Sequence, residues 1–247
     1  MEALRVDGLV KNFGGVQAVW DVSFGVEAGE HLVMIGPNGA GKTTLLNLIN
    51  GQLAPSAGRI EFFGRDVTSM TTHRRSHLGM ARAFQILSLL ANLTVMENVL
   101  ITLHGTRPSR YRMFRRVEGF AEVYDLARQT LESLGLWDRR EELVKNISYG
   151  EQRRLEITLG LALQPKMLLL DEPSAGLTKE ESQVVVDIIQ GLGNEQTLLI
   201  VDHDMELVFE VASRIIVLHQ GTIIADGPPE QIQQNERVRE VYMGLEE

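Results

Sequence analysis

Residues 36–44 read Gly36-Pro37-Asn38-Gly39-Ala40-Gly41-Lys42-Thr43-Thr44, a complete G-x-x-x-x-G-K-S/T loop. Glycines at 36, 39 and 41 let backbone N–H groups turn inward around phosphate oxygens, where a Cβ would obstruct them. The loop follows an apolar run, His31 to Ile35, and opens a helix-like stretch, Lys42 to Asn50. A helix that starts beside Lys42 points its positive dipole end at the same anion. Lys42 would reach the β- and γ-phosphates of ATP, and the Thr43 hydroxyl would bind Mg2+. The alternative is a chance Gly-rich turn, against which strand, loop and helix all agree.

Residues 167–172, Met-Leu-Leu-Leu-Asp-Glu, form a second candidate, an apolar strand that ends in two carboxylates about 130 residues after the loop. A buried strand holds its last residue rigidly at the edge of a parallel sheet, where ligands bind in such folds. Asp171 is placed to hold the Mg2+ shell, and Glu172 to polarise a water beside the γ-phosphate. A third candidate is 147–154, Ile-Ser-Tyr-Gly-Glu-Gln-Arg-Arg, which leads into a helical run from Leu155 to Leu163. Ser148 is a good N-cap and Gly150 allows close backbone approach to an anion. One ATP needs one phosphate loop, so a second anion site suggests a nucleotide held by another subunit. A plain helix cap is the other reading of these residues.

These groups need a scaffold. Leu4 to Val10, Val19 to Val26 and Arg59 to Phe63 have the pattern of antiparallel strands separated by Gly-rich turns. From about Thr94 to Leu163 the apolar residues recur at three- and four-residue intervals, as in Val95, Val99, Leu103 and then Val123, Leu126, Leu131, Leu134. That predicts a helical insertion. Strands at Met167–Leu170, Thr197–Val201 and Arg214–Leu218 alternate with helices at Thr178–Leu192 and Asp204–Ala212, which argues for a parallel sheet. Pro228-Pro229 marks the start of a helical tail reaching Tyr242. The expected class is α/β.

Composition narrows the function classes. The chain has 247 residues, no cysteine and a net charge of −9. There is no disulfide framework and no thiolate metal site. No apolar run approaches the roughly 20 residues that span a bilayer, and the N-terminus lacks the apolar core of a secretory signal. The expectation is a soluble chain whose membrane role, if any, comes through a partner. The acidic balance speaks against nucleic acid. The one basic cluster, Arg107, Arg110, Arg112, Arg115 and Arg116 beside Tyr111 and Phe114, reads as a solvated or phospholipid-facing surface, with RNA contact as the alternative. The other histidines, His31, His73, His77, His104 and His219, show no metal-ligand spacing, and Trp20 and Trp137 read as packing residues.

The loop GPNGAGKTT, the segment ISYGEQ, the strand LLLDEP, the turn SAGLT and the segment VDHD, in this order, resemble the ATP-binding subunits of ABC transporters over essentially the whole chain. ISYGEQ stands where the family has LSGGQ, with Tyr149 for a glycine and Glu151 for the glutamine. SAGL stands where many members have SALD, so an aspartate contact across the dimer is absent or replaced. The resemblance implies a P-loop (RecA-like) core with an N-terminal antiparallel β subdomain and an inserted α-helical subdomain. The chain is then one domain over 1–247: an ATP-binding core at 1–85 and 165–230, a helical subdomain at 86–164 and a C-terminal helical tail at 231–247. It implies that Phe13 stacks on adenine, although the residue alone reads equally well as core. It implies that Gln85 touches Mg2+ or the attacking water, and that His203, otherwise an ordinary loop histidine, bonds the γ-phosphate. Residues 36–44 of one chain and Ser148, Tyr149, Gly150 and Glu151 of the other would hold each ATP in a head-to-tail dimer.

Narrower likenesses, Phe13 to Val19, Gly79 to Gln85, Leu93 to Val99, Ser148 to Ile157 and Arg237 to Gly244, resemble the larger ATPase of branched-chain amino acid importers and their urea or short-amide relatives. The implied partners are a second ATPase subunit, integral membrane permeases and, indirectly, a substrate-binding protein. The implied place is the cytoplasmic face of the inner or plasma membrane. The segment from Gln85 to about Leu103, with apolar Leu87, Leu89, Leu90 and Leu93, is expected to receive a permease helix; ordinary packing within the helical subdomain is the alternative. Three other readings remain: the ATPase of a lipid or lipopolysaccharide exporter, a soluble non-transport ABC ATPase, and a simple nucleotide kinase or GTPase.

Overall fold

The computed structural model describes residues 1–83, 89–105, 121–162 and 164–243. The chain opens with β1 (Glu2–Phe13) and β2 (Val16–Glu27), then β3 (His31–Ile35) and α1 (Lys42–Asn50). Next come β4 (Ala57–Phe62), β5 (Arg65–Asp66), α2 (Thr72–His77) and β6 (Met80–Arg82). Among the described residues three α-helices follow: α3 (Val95–Gly105), α4 (Ala121–Ser133) and α5 (Tyr149–Ala162). The last third runs β7 (Met167–Asp171), α6 (Lys179–Gly191), β8 (Thr197–Val201), α7 (Met205–Val211), β9 (Arg214–His219), β10 (Thr222–Gly227), α8 (Pro229–Gln234) and α9 (Glu236–Met243).

Two sheets result. The smaller is antiparallel in the order β2-β1-β4-β5. The larger has the order β10-β9-β3-β8-β7-β6, parallel except for β10 at one edge. Strands β3 and β8 are buried at every position, as a parallel sheet covered on both faces requires. Successive residues serve opposite faces. Leu32, Met34, Leu199 and Val201 join Leu45, Leu46, Leu48 and Ile49 of α1 and the inner face of the small sheet in one core. Val33, Ile35, Leu198 and Ile200 join α6 and α7 in the other. A third cluster, built on Val95, Val99, Leu103, Val123, Leu131, Leu155 and Leu159, holds α3, α4 and α5 together.

Several elements depart from the expected pattern. Helix α2 is polar throughout, and β5 and β6 are too short to show a period. Strand β10 follows a turn in which Gln220 and Gly221 both have positive φ, 47° and 78°, so this hairpin lacks the usual Asn-Gly signal. The tail is two helices, because the Asn235 side chain accepts the Val238 N–H (3.2 Å) and starts α9 afresh.

Helix α1 ends in a charged cap. Gly51 closes it in the left-handed region, and Arg75, 1% exposed, reaches in from α2. Its guanidinium donates to the carbonyls of Leu48 (2.8 Å), Ile49 (2.5 Å), Met70 (3.1 Å) and Thr68 (3.1 Å). A cation at this end also complements the helix dipole. Burial pushes the Arg75 guanidinium down to about 10, with Asp66 acting the other way. Its folded value lies below its unfolded one, so both states keep the charge below about pH 9 and its contribution is flat there. Arg75→Met strands these carbonyls and is expected to cost about 3 kcal/mol in urea unfolding, equally at about pH 6 and pH 9. A loss below about 0.5 kcal/mol would show that water replaces the guanidinium without penalty.

Candidate functional site

The neighbouring strands β3, β8 and β7 end at one edge of the large sheet, and each feeds a loop that carries charge. After β3, Gly36, Gly39 and Gly41 have φ of 154°, 80° and 103°. A Cβ on Gly36 would lie 2.1 Å from the Leu218 carbonyl oxygen, and one on Gly41 2.5 Å from that of Ala18. The loop is therefore clamped from behind by β9 and β2, and only glycine fits. Ala40 is buried and its carbonyl accepts the Gly221 N–H (2.9 Å), whereas Asn38, Gly39 and Thr43 are exposed and Pro37 and Thr44 half-buried. Lys42 is 6% exposed, and its Nζ donates to the carbonyls of Gly36 (2.6 Å) and Pro37 (3.2 Å). Burial lowers the Lys42 ammonium from its ordinary value, against the charges of Glu172, Asp171 and Asp202, which favour it.

After β7, Asp171 is held by Arg82, whose Nη2 donates to Oδ2 (2.5 Å). Asp171 Oδ1 is buried and has no hydrogen-bond partner among the described residues. Glu172 has φ of 48°, a conformation a non-glycine residue adopts at a cost of about 1–3 kcal/mol. Its backbone pins it there. The N–H donates to Val201 O (2.7 Å), and the carbonyl accepts from Arg153 Nη2 (2.9 Å) and the Ala175 N–H (3.1 Å).

After β8 comes a group that the motif reading passed over. Asp202 is wholly buried and accepts from Ser174 N–H (3.1 Å) and Oγ–H (2.7 Å), His203 N–H (2.7 Å) and Asp204 N–H (3.0 Å). It ties the β7 loop to the β8 loop and orients the backbone of His203, whose side chain is 59% exposed. Its signal was the apolar strand Thr197–Val201 ending in a carboxylate, the same pattern that marked Asp171. Arg82 and Arg153 were likewise missed, because no local motif announces an arginine that pairs across elements.

The start of α5 lies apart. Ser148 Oγ accepts the Glu151 N–H (3.2 Å), and Glu151 Oε2 accepts the Ser148 N–H (2.8 Å) and Arg139 Nη1 (3.2 Å). This is a capping box, with Glu151 as its return arm. Tyr149 is 50% exposed, and its ring lies beside Gly176. Gly150 is buried, and a Cβ there would lie 2.3 Å from Glu181 Oε1. Among the described residues, no hydrogen bond or ion pair joins 148–151 to 36–44.

Phe13 is 44% exposed at the end of β1, with Lys11 Nζ 5.1 Å from its ring centroid, and so is not a core residue. Trp20 is 51% exposed on β2, against the packing role expected of it; β2 is an edge strand, and this side chain faces away from the core. Trp137 does pack, against the helical cluster. Gln85, Leu87 and the basic cluster at 107–116 lie outside the described residues. Leu89 packs on the helical cluster, while Leu90 and Ile101 are 48% and 49% exposed. Among the described residues no helix is long and apolar enough to cross a membrane.

Comparison with known proteins decides between the nucleotide-binding families this geometry allows. Residues 19–175 match the ABC transporter family model. The chain belongs to the ABC transporter family. Within it the chain is an ATP-hydrolysing cassette. Residues 222–247 match a second model, described as the branched-chain amino acid ATP-binding cassette transporter. The high-affinity branched-chain amino acid transport ATP-binding protein LivG of Salmonella typhimurium is 38% identical over 98% of this chain and 97% of its own. BraF of Pseudomonas aeruginosa, of the same description, is 37% identical over the same shares. A solved ATP-binding cassette of an ABC transporter in its ADP conformation superposes with a TM-score of 0.85 at 31% identity, covering 99% of both chains. A nucleotide-free cassette gives 0.83 at 30%, covering 98% of this chain and 99% of its own. The expected class, an α/β P-loop cassette with an antiparallel β subdomain and helices, is what the chain has.

The Asp202 carboxylate serves four donors at once, so Asp202→Asn turns an NH2 toward at least one of them. The expected result is a loss of about 2 kcal/mol in denaturant unfolding, with ATP turnover falling at least tenfold. Full stability and full turnover in this variant would mean that the two loops do not depend on the carboxylate.

Proposed function

We propose that this chain powers a membrane importer of branched-chain amino acids or related small polar solutes. It would work as one of a head-to-tail pair of cassettes, the same or a related chain, on permease subunits at the cytoplasmic face of the membrane. A substrate-binding protein would take part indirectly, and no nucleic acid is involved. The observation that carries the chemistry is the buried Lys42 beside a glycine-clamped loop, within reach of the charges of Asp171, Glu172 and Asp202. The transported class rests on the full-length relatives and on the match of residues 222–247, since nothing in the site reads a solute.

The residues fit ATP with Mg2+. Among the described residues Asp171 keeps a buried oxygen without a partner and Lys42 donates only to carbonyls of its own loop, and the loop glycines leave the N–H groups unobstructed. Thr43, Asp171 and Gln85 would hold the cation, which when bound draws charge from the phosphate oxygens. Gly36 to Thr44 would cradle the phosphates, with Lys42 exchanging its carbonyl partners for phosphate oxygens, and Phe13 would stack on adenine. Glu172 would orient the attacking water and His203 would bond the γ-phosphate, so catalysis is chiefly positioning and electrostatics. Ser148, Tyr149, Gly150 and Glu151 would face the nucleotide of the partner chain. ATP then adds contacts that exist only in the closed pair, and hydrolysis removes them.

Glu172→Gln is expected to retain ATP and to accumulate a closed dimer, seen as a doubled mass in size-exclusion chromatography with ATP. Unchanged turnover in this variant would sink the role given to Glu172. Lys42→Ala is expected to weaken ATP binding at least tenfold by calorimetry. For the transport reading, the tagged chain is purified from detergent-solubilised membranes of its native cell. Two polytopic permeases and a second ATPase are expected with it, whereas recovery only with ribosomes or repair proteins would leave the ATPase and remove the transporter.

A further inference from the structure

Arg82 is a buried charge at the site to which the nucleotide reading gives no role. Its side chain is 0% exposed. Nη1 donates to Asn47 Oδ1 (2.5 Å) on α1 and to Gln52 Oε1 (3.0 Å) just beyond it, and Nη2 donates to Asp171 Oδ2 (2.5 Å) at the end of β7. One rigid guanidinium thus spans the helix that follows the phosphate loop and the carboxylate after β7. A planar fork fixes the direction of each bond it makes, which a lysine ammonium cannot. Asp171 cannot turn without giving up a charge-assisted bond to a buried cation. Its other oxygen, Oδ1, is buried with no hydrogen-bond partner among the described residues. The arrangement is that of a ligand oriented from behind by a second residue, whose loss weakens metal binding as the loss of a ligand's own support does.

We infer that Arg82 is a positioning residue for Asp171: it fixes Oδ2 to a guanidinium anchored on α1, presents Oδ1 to a divalent cation in register with the phosphate loop, and so sets the cation's affinity. This rests on the nucleotide reading above. Gln52 is exposed and Asn47 sits on α1, so the anchor and the carboxylate belong to different elements and Arg82 keeps them at constant separation. Arg82 itself never touches the reacting atoms.

The test uses the full chain and a fluorescent ATP analogue, titrated once in EDTA and once in Mg2+. The ratio of the two dissociation constants measures how far the cation assists nucleotide binding. Arg82→Met is expected to shrink that ratio about tenfold while the constant in EDTA stays within about twofold of the parent. Arg82→Lys, which keeps the charge but loses the fork, should recover part of the ratio. Gln52→Ala lies at the surface, leaves every charge in place and should give a smaller loss in the same direction, so the idea remains open to refutation if Arg82→Met does not fold. An unchanged or enlarged ratio in the folded variants overturns the inference. So does an equal weakening in EDTA and in Mg2+, which would place Arg82 in the support of the whole loop. A parent chain that binds no nucleotide under either condition would instead remove the nucleotide reading itself.

Discussion

Charge buried at the end of apolar strands is the constraint from which the site's geometry follows. Lys42, Arg82 and Asp202 are almost fully withdrawn from water, and Asp171 is nearly so. An isolated buried charge costs several kcal/mol, so each must be answered at close range. Lys42 is answered by carbonyls of its own loop, Arg82 by Asp171, Asn47 and Gln52, and Asp202 by four donors from the two adjoining loops. These bonds fix the loops after β3, β7 and β8 relative to one another before any ligand arrives. Glycine at 36 and 41 is the steric counterpart, since the loop can lie this close to β9 and β2 only without side chains.

The helical cluster is coupled to this edge through α5. Ile157 packs on the sheet core, while Leu155 and Leu159 pack in the helical cluster, so one helix belongs to both. Arg153, on the same helix, donates to the carbonyl of Glu172, whose backbone is already in a costly conformation. A displacement of α5 relative to β7 therefore acts on the peptide that aims Glu172. Gly150 against Glu181, and Tyr149 against Gly176, make two further close contacts between α5 and the elements that follow β7. A packed interior transmits such a shift because it has little free volume in which to absorb it.

What could be read from the residues follows the range of the interactions. The phosphate loop, its strand and its helix were legible because glycine, lysine and apolar period lie within the twenty consecutive positions from His31 to Asn50. The parallel strands were legible because a doubly covered strand must be apolar throughout, as His31–Ile35 and Thr197–Val201 nearly are. Helix α2 was not, because Thr72–His77 earns its place through Arg75 capping a helix that ends 25 residues earlier, and no local period records that. Arg82 and Asp171 are 89 residues apart and Ser174 and Asp202 are 28 apart, so their pairing appears only when the sheet brings the strand ends together. Trp20 was misjudged because a large aromatic on an edge strand follows the alternation of the strand more than its own size.

Glu151 shows how a departure from the family pattern is absorbed. A carboxylate at the start of a helix that is to meet a phosphate would repel it if it pointed outward. Here it turns back: Oε2 takes the Ser148 N–H and the Arg139 guanidinium, so the negative charge is offset within the chain. The first N–H groups of a helix have no partner within it, and α5 thus keeps a positive end at the surface, beside the exposed Ser148 and Tyr149. The phosphate loop is at a different place, joined to this end by no described hydrogen bond or ion pair. One chain thus carries two positively polarised helix starts, at α1 and at α5, that no described hydrogen bond or ion pair joins. In the proposed head-to-tail pair each chain would offer its α5 end to the other's loop, and such a pair would close on itself with two equivalent sites.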